Sequence, residues 1–185
     1  MTSISAKDVA ELRKRTGAGM MECKKALAEN GGDFEKATDW LRARGIAKSE
    51  KRAEKAASEG LVESYIHHNG KVGVLVELNC ETDFVARTDD FRILAKEVAM
   101  HVAFANPLAV AAEDIDPAVV ERERNIYLEQ VAQEGKPEAM RARIVEGKLK
   151  KFYSESVLLE QPWVKDDKQT VGELVKAASG KLGEK

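Results

Sequence analysis

Residues 61–80 read LVESYIHHNGKVGVLVELNC, and this stretch decides the fold. Two apolar-rich segments flank Asn69-Gly70, a dipeptide that supplies the positive φ angles of a two-residue hairpin turn. Successive strand side chains point to opposite faces, so Val72, Val74, Val76, Leu78 and Cys80 share one face. The other face carries Gly73, Leu75, Glu77 and Asn79, a less apolar set. The stretch therefore predicts an antiparallel β-hairpin buried on one side. An isolated two-stranded hairpin is marginal in water, so it requires a further strand, helices packed on that side, or a second chain.

Upstream of the hairpin, residues 47–59 (AKSEKRAEKAASE) contain almost no large apolar side chain. Ala, Glu, Lys and Arg favour helix but leave no stripe to bury, which predicts a solvated helical connector. Before it lie three short helical patterns. Ser5 with Asp8 forms a weak capping box ahead of Val9 and Leu12, and Gly17 stops that helix. A second helix runs through Met20, Met21, Cys23 and Leu27 to Asn30-Gly31-Gly32. A third puts Phe34, Ala37, Trp40 and Leu41 at helical spacing from Asp33 until Gly45. Such a unit has a small core and suits docking.

Downstream, Asp90 is a candidate cap for a helix carrying Phe91, Leu94, Ala95, Val98 and Val102, ended by Asn106-Pro107. Asp116-Pro117 opens another, through Val120, Ile126, Tyr127 and Val131, broken by Gly135-Lys136-Pro137. Shorter helices are predicted over 138–146 and 148–159, then an extended turn at Gln161–Val164. Thr170 with Glu173 caps a last helix to about Lys181. The fold class is α+β. Residues 1–45 form a three-helix module, 46–59 a charged helical connector, and 60–185 a core of a hairpin or small sheet packed with helices.

Composition removes several functions. Thirty Lys and Arg stand against 32 Asp and Glu, so the chain lacks the positive footprint that nucleic-acid phosphates require. Its apolar runs are too short to span a bilayer, and Met1–Ile4 leads into charge rather than a signal-peptide core. No glycine-rich phosphate loop follows a strand, which excludes direct nucleotide binding. Cys23 and Cys80 fit no metal or redox spacing, and a reducing cytoplasm is the expected location. Cys80 is near His67, His68 and His101 in sequence, yet it continues an apolar strand face, where cysteine behaves as a small hydrophobe. His67 and His68 are consecutive and face opposite sides, so they cannot grip one metal ion together. No catalytic residue, metal or cofactor is expected, and the chain is not read as an enzyme.

Two stretches resist a purely structural reading. In TGAGMMECKKAL (residues 16–27), Gly-Ala-Gly precedes adjacent methionines that cannot both face one small core. Spacing divides evenly between core and docking surface. In ETDFVAR (residues 81–87), Phe84 lies in a charged connector between strand and helix. It is either a plug folded into its own core or an anchor for a partner's pocket, and spacing favours the plug.

These stretches, with HHNGKVGVLVELNCETDFVAR (residues 67–87) and EGKPEAMRARIVEGKLKKFYSESVLLEQPWVKDD (residues 134–167), resemble bacterial translation elongation factor Ts. The resemblance spans residues from about 5 to 182. It implies a guanine nucleotide exchange factor that binds the GTPase elongation factor Tu in its GDP form and promotes GDP release by disturbing the Mg²⁺ site. Thr82, Asp83, Phe84 and Val85 match the loop that reaches that site, and Arg13, Met20 and Met21 match docking positions of the N-terminal module. Short members of the family are homodimers whose last helix is followed by a strand joining the hairpin sheet. This sequence stops at Gly180–Lys185, which leads us to expect a weakened dimer. The three-helix unit also resembles ubiquitin-associated (UBA-like) domains, and the alternative function is a helical adaptor with no exchange activity. The ETDFVAR loop discriminates, since an adaptor has no need of it.

Overall fold

A computed structural model describes residues 4–50 and 55–185. The chain divides into two compact units, one of Met1–Glu63, Glu77–Ala95 and Val175–Lys185, the other of Ser64–Val76 and Lys96–Leu174.

The first unit opens with α1 (Ala6–Thr16), α2 (Met20–Glu29) and α3 (Phe34–Glu50). The capping box forms: the Asp8 N–H donates to Ser5 Oγ and the Ser5 N–H to Asp8 Oδ2, each at 3.1 Å. Gly17 ends α1 at φ 68°, its N–H donating to the Arg13 carbonyl. Leu12, Cys23, Ala26, Leu27 and Ala37 are buried together, with Phe34, Trp40 and Leu41 at the edge.

Gly45 does not stop α3. The helix runs on to Glu50 because Gly45 lies against the final helix, α8 (Val171–Leu182). A Cβ on Gly180 would sit 2.5 Å from the Gly45 Cα, closer than carbon atoms approach. The two glycines serve helix-to-helix approach, which offsets the roughly 1 kcal/mol that glycine costs inside a helix. Within the charged connector, the residues up to Glu50 are helical. Residues 51–54 lie outside the described residues, and 55–58 are not helical.

The hairpin is present as β1 (Glu59–Ile66) and β2 (Gly73–Cys80). Its turn is longer than the two residues predicted. The His67 N–H donates to the Val72 carbonyl at 2.9 Å, leaving residues 68–71 as the loop. Gly70 alone in that loop has a positive φ, 68°, and its N–H donates to the His67 carbonyl. Asn69 instead accepts the Lys71 N–H on its side chain at 2.9 Å. A local Asx bond has replaced the left-handed asparagine that a two-residue turn requires. On β2 the alternation is as expected, with Val74, Val76 and Leu78 half-buried, Cys80 buried, and Leu75, Glu77 and Asn79 exposed.

After a single helical turn, α4 (Asp83–Ala86), comes α5 (Asp89–Ala105). Its cap is Thr88 rather than Asp90: Thr88 Oγ1 accepts the Phe91 N–H at 3.3 Å. Cys80, Ala86 and Phe91 form a second buried cluster with Leu61, Leu78, Val85 and Leu182 around it. Asn106 takes φ 45° before Pro107, a left-handed helix end that asparagine tolerates.

In the second unit, Asp116 caps α6 (Pro117–Gln133), accepting the Ala118 N–H at 2.9 Å. One continuous helix, α7 (Glu138–Ser156), replaces the two short ones predicted. Gly147 is exposed within it, and burial of Val145 and Leu149 against Val131 outweighs the glycine's cost. A short strand β3 (Pro162–Trp163) pairs antiparallel with β4 (Asp166–Thr170). The latter, DDKQT, has no apolar alternation by which to be recognised. Thr170 and Glu173 exchange both capping bonds at 3.1 Å at the start of α8.

The second unit also buries His101, 1% exposed. The Val164 N–H donates to its Nδ1 at 3.3 Å, so the proton sits on Nε2 and points at Gln161 Oε1, 3.1 Å away. Burial lowers its pKa below 6.5, opposed by the bond to Gln161. The unfolded chain therefore takes up this proton first as pH falls. We expect the melting temperature to decline as pH drops below 6.5, before the carboxylates titrate. His101→Asn should flatten that part of the curve; thermal unfolding across pH 5–7 (roughly the imidazole range) is the check.

Candidate functional site

The segment between β2 and α5 is built as a presented turn. Thr82 is extended, at φ −133° and ψ 152°, and caps α4 by accepting the Val85 N–H on its hydroxyl at 3.4 Å. The periodicity of one helical turn separates its side chains. Val85 and Ala86 face the cluster around Cys80, whereas Phe84 points out and is 79% exposed. Phe84 is therefore not a core plug. Asp83 lies on the same turn and pairs with Arg87 at 2.8 Å, an exposed i,i+4 contact of small energetic weight.

Around the turn the polar contacts converge. Both Glu184 carboxylate oxygens accept from Thr82, the hydroxyl at 2.7 Å and the backbone N–H at 3.0 Å. Glu81 accepts from Lys55 Nζ at 2.7 Å and from the Lys185 N–H at 2.9 Å. Cys80 donates its S–H to the Thr82 carbonyl at 3.1 Å. Burial, with the nearby Glu184 charge adding to it, pushes this thiol's pKa up, so it is poor as a nucleophile. Among the described residues, no group of three or more His, Cys, Asp or Glu is arranged to hold a metal ion.

The N-terminal positions present a second surface. Met20 and Met21 open α2 and are 49% and 73% exposed, so neither methionine belongs to the core. Exposed Arg13 and Met20 line one shallow depression with Lys14, Gly17, Asp90 and Lys181. An ion pair of 2.9 Å between Lys181 and Asp90 crosses it. Met21 stands outside this depression.

Sequence reasoning missed the residues that hold the turn. Thr88 carried a signal, since threonine three positions before Phe91 is a cap spacing. Glu184 carried none, lying 102 positions from Thr82.

Comparison with known proteins places this sequence first in a class, the translation elongation factors. Residues 9–184 match the family described as Elongation factor TS. The chain is 56% identical over 182 residues to Elongation factor Ts of Nitratidesulfovibrio vulgaris, covering 98% of this chain and 91% of that one. It is 53% identical to that of Solidesulfovibrio magneticus, with 100% and 92% covered, and 54% identical to that of Thermoanaerobacter pseudethanolicus, with 98% and 89% covered. The chain belongs to the elongation factor Ts family, the guanine nucleotide exchange factors of translation elongation. That membership favours exchange over the adaptor reading. Among the described residues no helix is long and apolar enough to cross a membrane.

Proposed function

We propose that this chain binds elongation factor Tu·GDP in the cytoplasm and speeds GDP release through the turn Thr82–Val85, with no chemical catalysis and no cofactor of its own. The observation that carries the reading is Phe84, a large apolar side chain 79% exposed on a turn whose backbone is held by hydrogen bonds. Burying such a ring in a partner yields about 1.5–3 kcal/mol, available only if the partner's helices part to admit it. A Mg²⁺ ion bridging nucleotide phosphates neutralises several charges, so a small displacement of its surroundings loosens the nucleotide. Asp83, beside the wedge, competes for hydrogen-bond donors near that ion. The coupling is reciprocal: a factor that weakens GDP is weakened by GDP to the same degree. Fluorescent-GDP release from elongation factor Tu, with and without this chain, tests the reading. An unchanged release rate overturns it.

In this proposal residues 1–45 dock on the same GTPase through Arg13, Met20 and Met21, residues 46–59 link, and residues 60–185 carry the wedge. Exposed methionines suit an adaptable apolar contact. Replacing Met20 and Met21 together by alanine is expected to weaken binding about tenfold while leaving folding intact, since both are surface residues. Isothermal calorimetry against elongation factor Tu·GDP measures this, and unchanged affinity removes the docking role. Exposed Ile66 and Leu75 on the outer face of the hairpin, at 67% and 75%, support a homodimer formed through that face.

A further inference from the structure

Glu184, 102 positions further along the chain, accepts two hydrogen bonds from Thr82. We propose that Glu184 is a positioning residue for nucleotide exchange: its carboxylate preorganises the turn that presents Phe84. The inference rests on the wedge reading of Phe84 and adds the device that aims it.

A single helical turn does not hold itself, because its nucleus fixes several dihedrals for very few bonds. Thr88 closes the end of the turn, its N–H and hydroxyl donating to the Val85 carbonyl at 3.0 and 2.8 Å, but the internal bonds at its start are long: Val85 N–H to Thr82 Oγ1 at 3.4 Å and Ala86 N–H to the Thr82 carbonyl at 3.3 Å. Phe84 is mostly exposed and contributes little packing to fix its own place. The contacts at Thr82 supply what the turn lacks. Glu184 takes the Thr82 hydroxyl at 2.7 Å and its N–H at 3.0 Å, charge-assisted bonds about twice as strong as neutral ones. Glu184 is itself fixed from two sides. Its carbonyl accepts from the buried Ser179 hydroxyl, and Gly183 before it closes α8 at φ 78° with a 2.9 Å bond to the Ser179 carbonyl. The next residue, Lys185, bonds Glu81, the neighbour of Thr82. The final turn of α8 is thereby tied to the turn that carries the wedge.

A loosened turn occupies the competent arrangement only part of the time. Apparent affinity then falls in proportion, while the rate at saturation is preserved. Release of fluorescent GDP from elongation factor Tu, titrated with wild type, Glu184→Ala, Glu184→Gln, Phe84→Ala and the Glu184→Ala/Phe84→Ala pair, reads both quantities. Glu184→Ala is expected to raise the half-saturating concentration about fivefold or more, with the maximal rate within about twofold. Glu184→Gln keeps an acceptor for the Thr82 N–H and a polar partner for its hydroxyl, and should restore most of the loss. In the Phe84→Ala background, removing Glu184 should cost nothing further, since the pair then acts as one unit. An unchanged half-saturation in Glu184→Ala, or an equal loss with and without Phe84, overturns the proposal while leaving the wedge intact. Full exchange by Phe84→Ala alone overturns both. Amide hydrogen exchange at Thr82 and Val85 in the free protein gives a readout independent of activity, and unaltered protection in Glu184→Ala also refutes the positioning role.

Discussion

Replacing Phe84 by alanine should lower exchange about ten- to a hundredfold while leaving the protein as stable as before. Burial of a phenylalanine ring in a partner is worth about 1.5–3 kcal/mol, and each 1.4 kcal/mol is a factor of ten in an equilibrium. In the free protein the ring is 79% exposed and has little to lose. Surface substitutions of this kind change folding stability by about 0.5 kcal/mol or less, whereas truncating a core phenylalanine costs about 3–5 kcal/mol. GDP release and thermal unfolding on the same sample separate these outcomes. A sharp fall in melting temperature with normal activity per folded molecule would show that Phe84 supports the fold instead. Val85, one residue on, gives the contrast: it packs on the cluster of Cys80, Ala86 and Phe91, so its truncation should move stability.

Gly180→Ala should destabilise the protein by about 1–3 kcal/mol, the cost of overpacking a tight contact. The added methyl would lie 2.5 Å from the Gly45 Cα and 2.6 Å from its carbonyl oxygen. Backbone cannot rotate away as a side chain can, so α3 and α8 must separate. For a chain of this size a loss of 1 kcal/mol lowers the melting temperature by about 2–4 °C. Gly147→Ala is the matched control, since a Cβ there meets nothing within 4 Å. It should raise stability by up to about 1 kcal/mol through helix propensity. Equal melting temperatures for wild type and Gly180→Ala would mean that the helices slide apart at no cost.

The contrast between these glycines shows what the sequence could and could not reveal. Local signals are legible: the Ser5–Asp8 and Thr170–Glu173 capping boxes, the Gly17 stop, Asp116-Pro117, and the alternation from Val74 to Cys80 all appear as read, whereas Val72 lies before β2 and is exposed. Gly45 and Gly147 misled for one reason. Glycine marks a helix end only when no tertiary contact outweighs its entropy, and that contact comes from residues far along the chain. The hairpin turn misled differently, because Asn69 uses its side chain on Lys71 rather than adopting a left-handed backbone. At the candidate site, Phe84 could be singled out as a bulky residue in a polar connector. Whether it turned inward depended on a register of one helical turn, which four residues are too few to establish. Thr82 lies in that same connector, but nothing in the sequence points to Glu184, since no periodicity links positions 102 apart.

The two buried thiols give the protein a pair of built-in gauges. Cys23 sits in the core of α1–α3 and Cys80 at the base of the Phe84 turn, both within 1% of full burial. A thiol so enclosed reacts with an alkylating reagent only when its surroundings open. Labelling followed by peptide mass spectrometry would therefore time two separate openings in one unmodified chain, without a dye or an engineered site. Cys80 would report the breathing of the turn, and Cys23 that of the N-terminal helices. A partner that seats on one and leaves the other unprotected would reveal which part of the molecule it holds still.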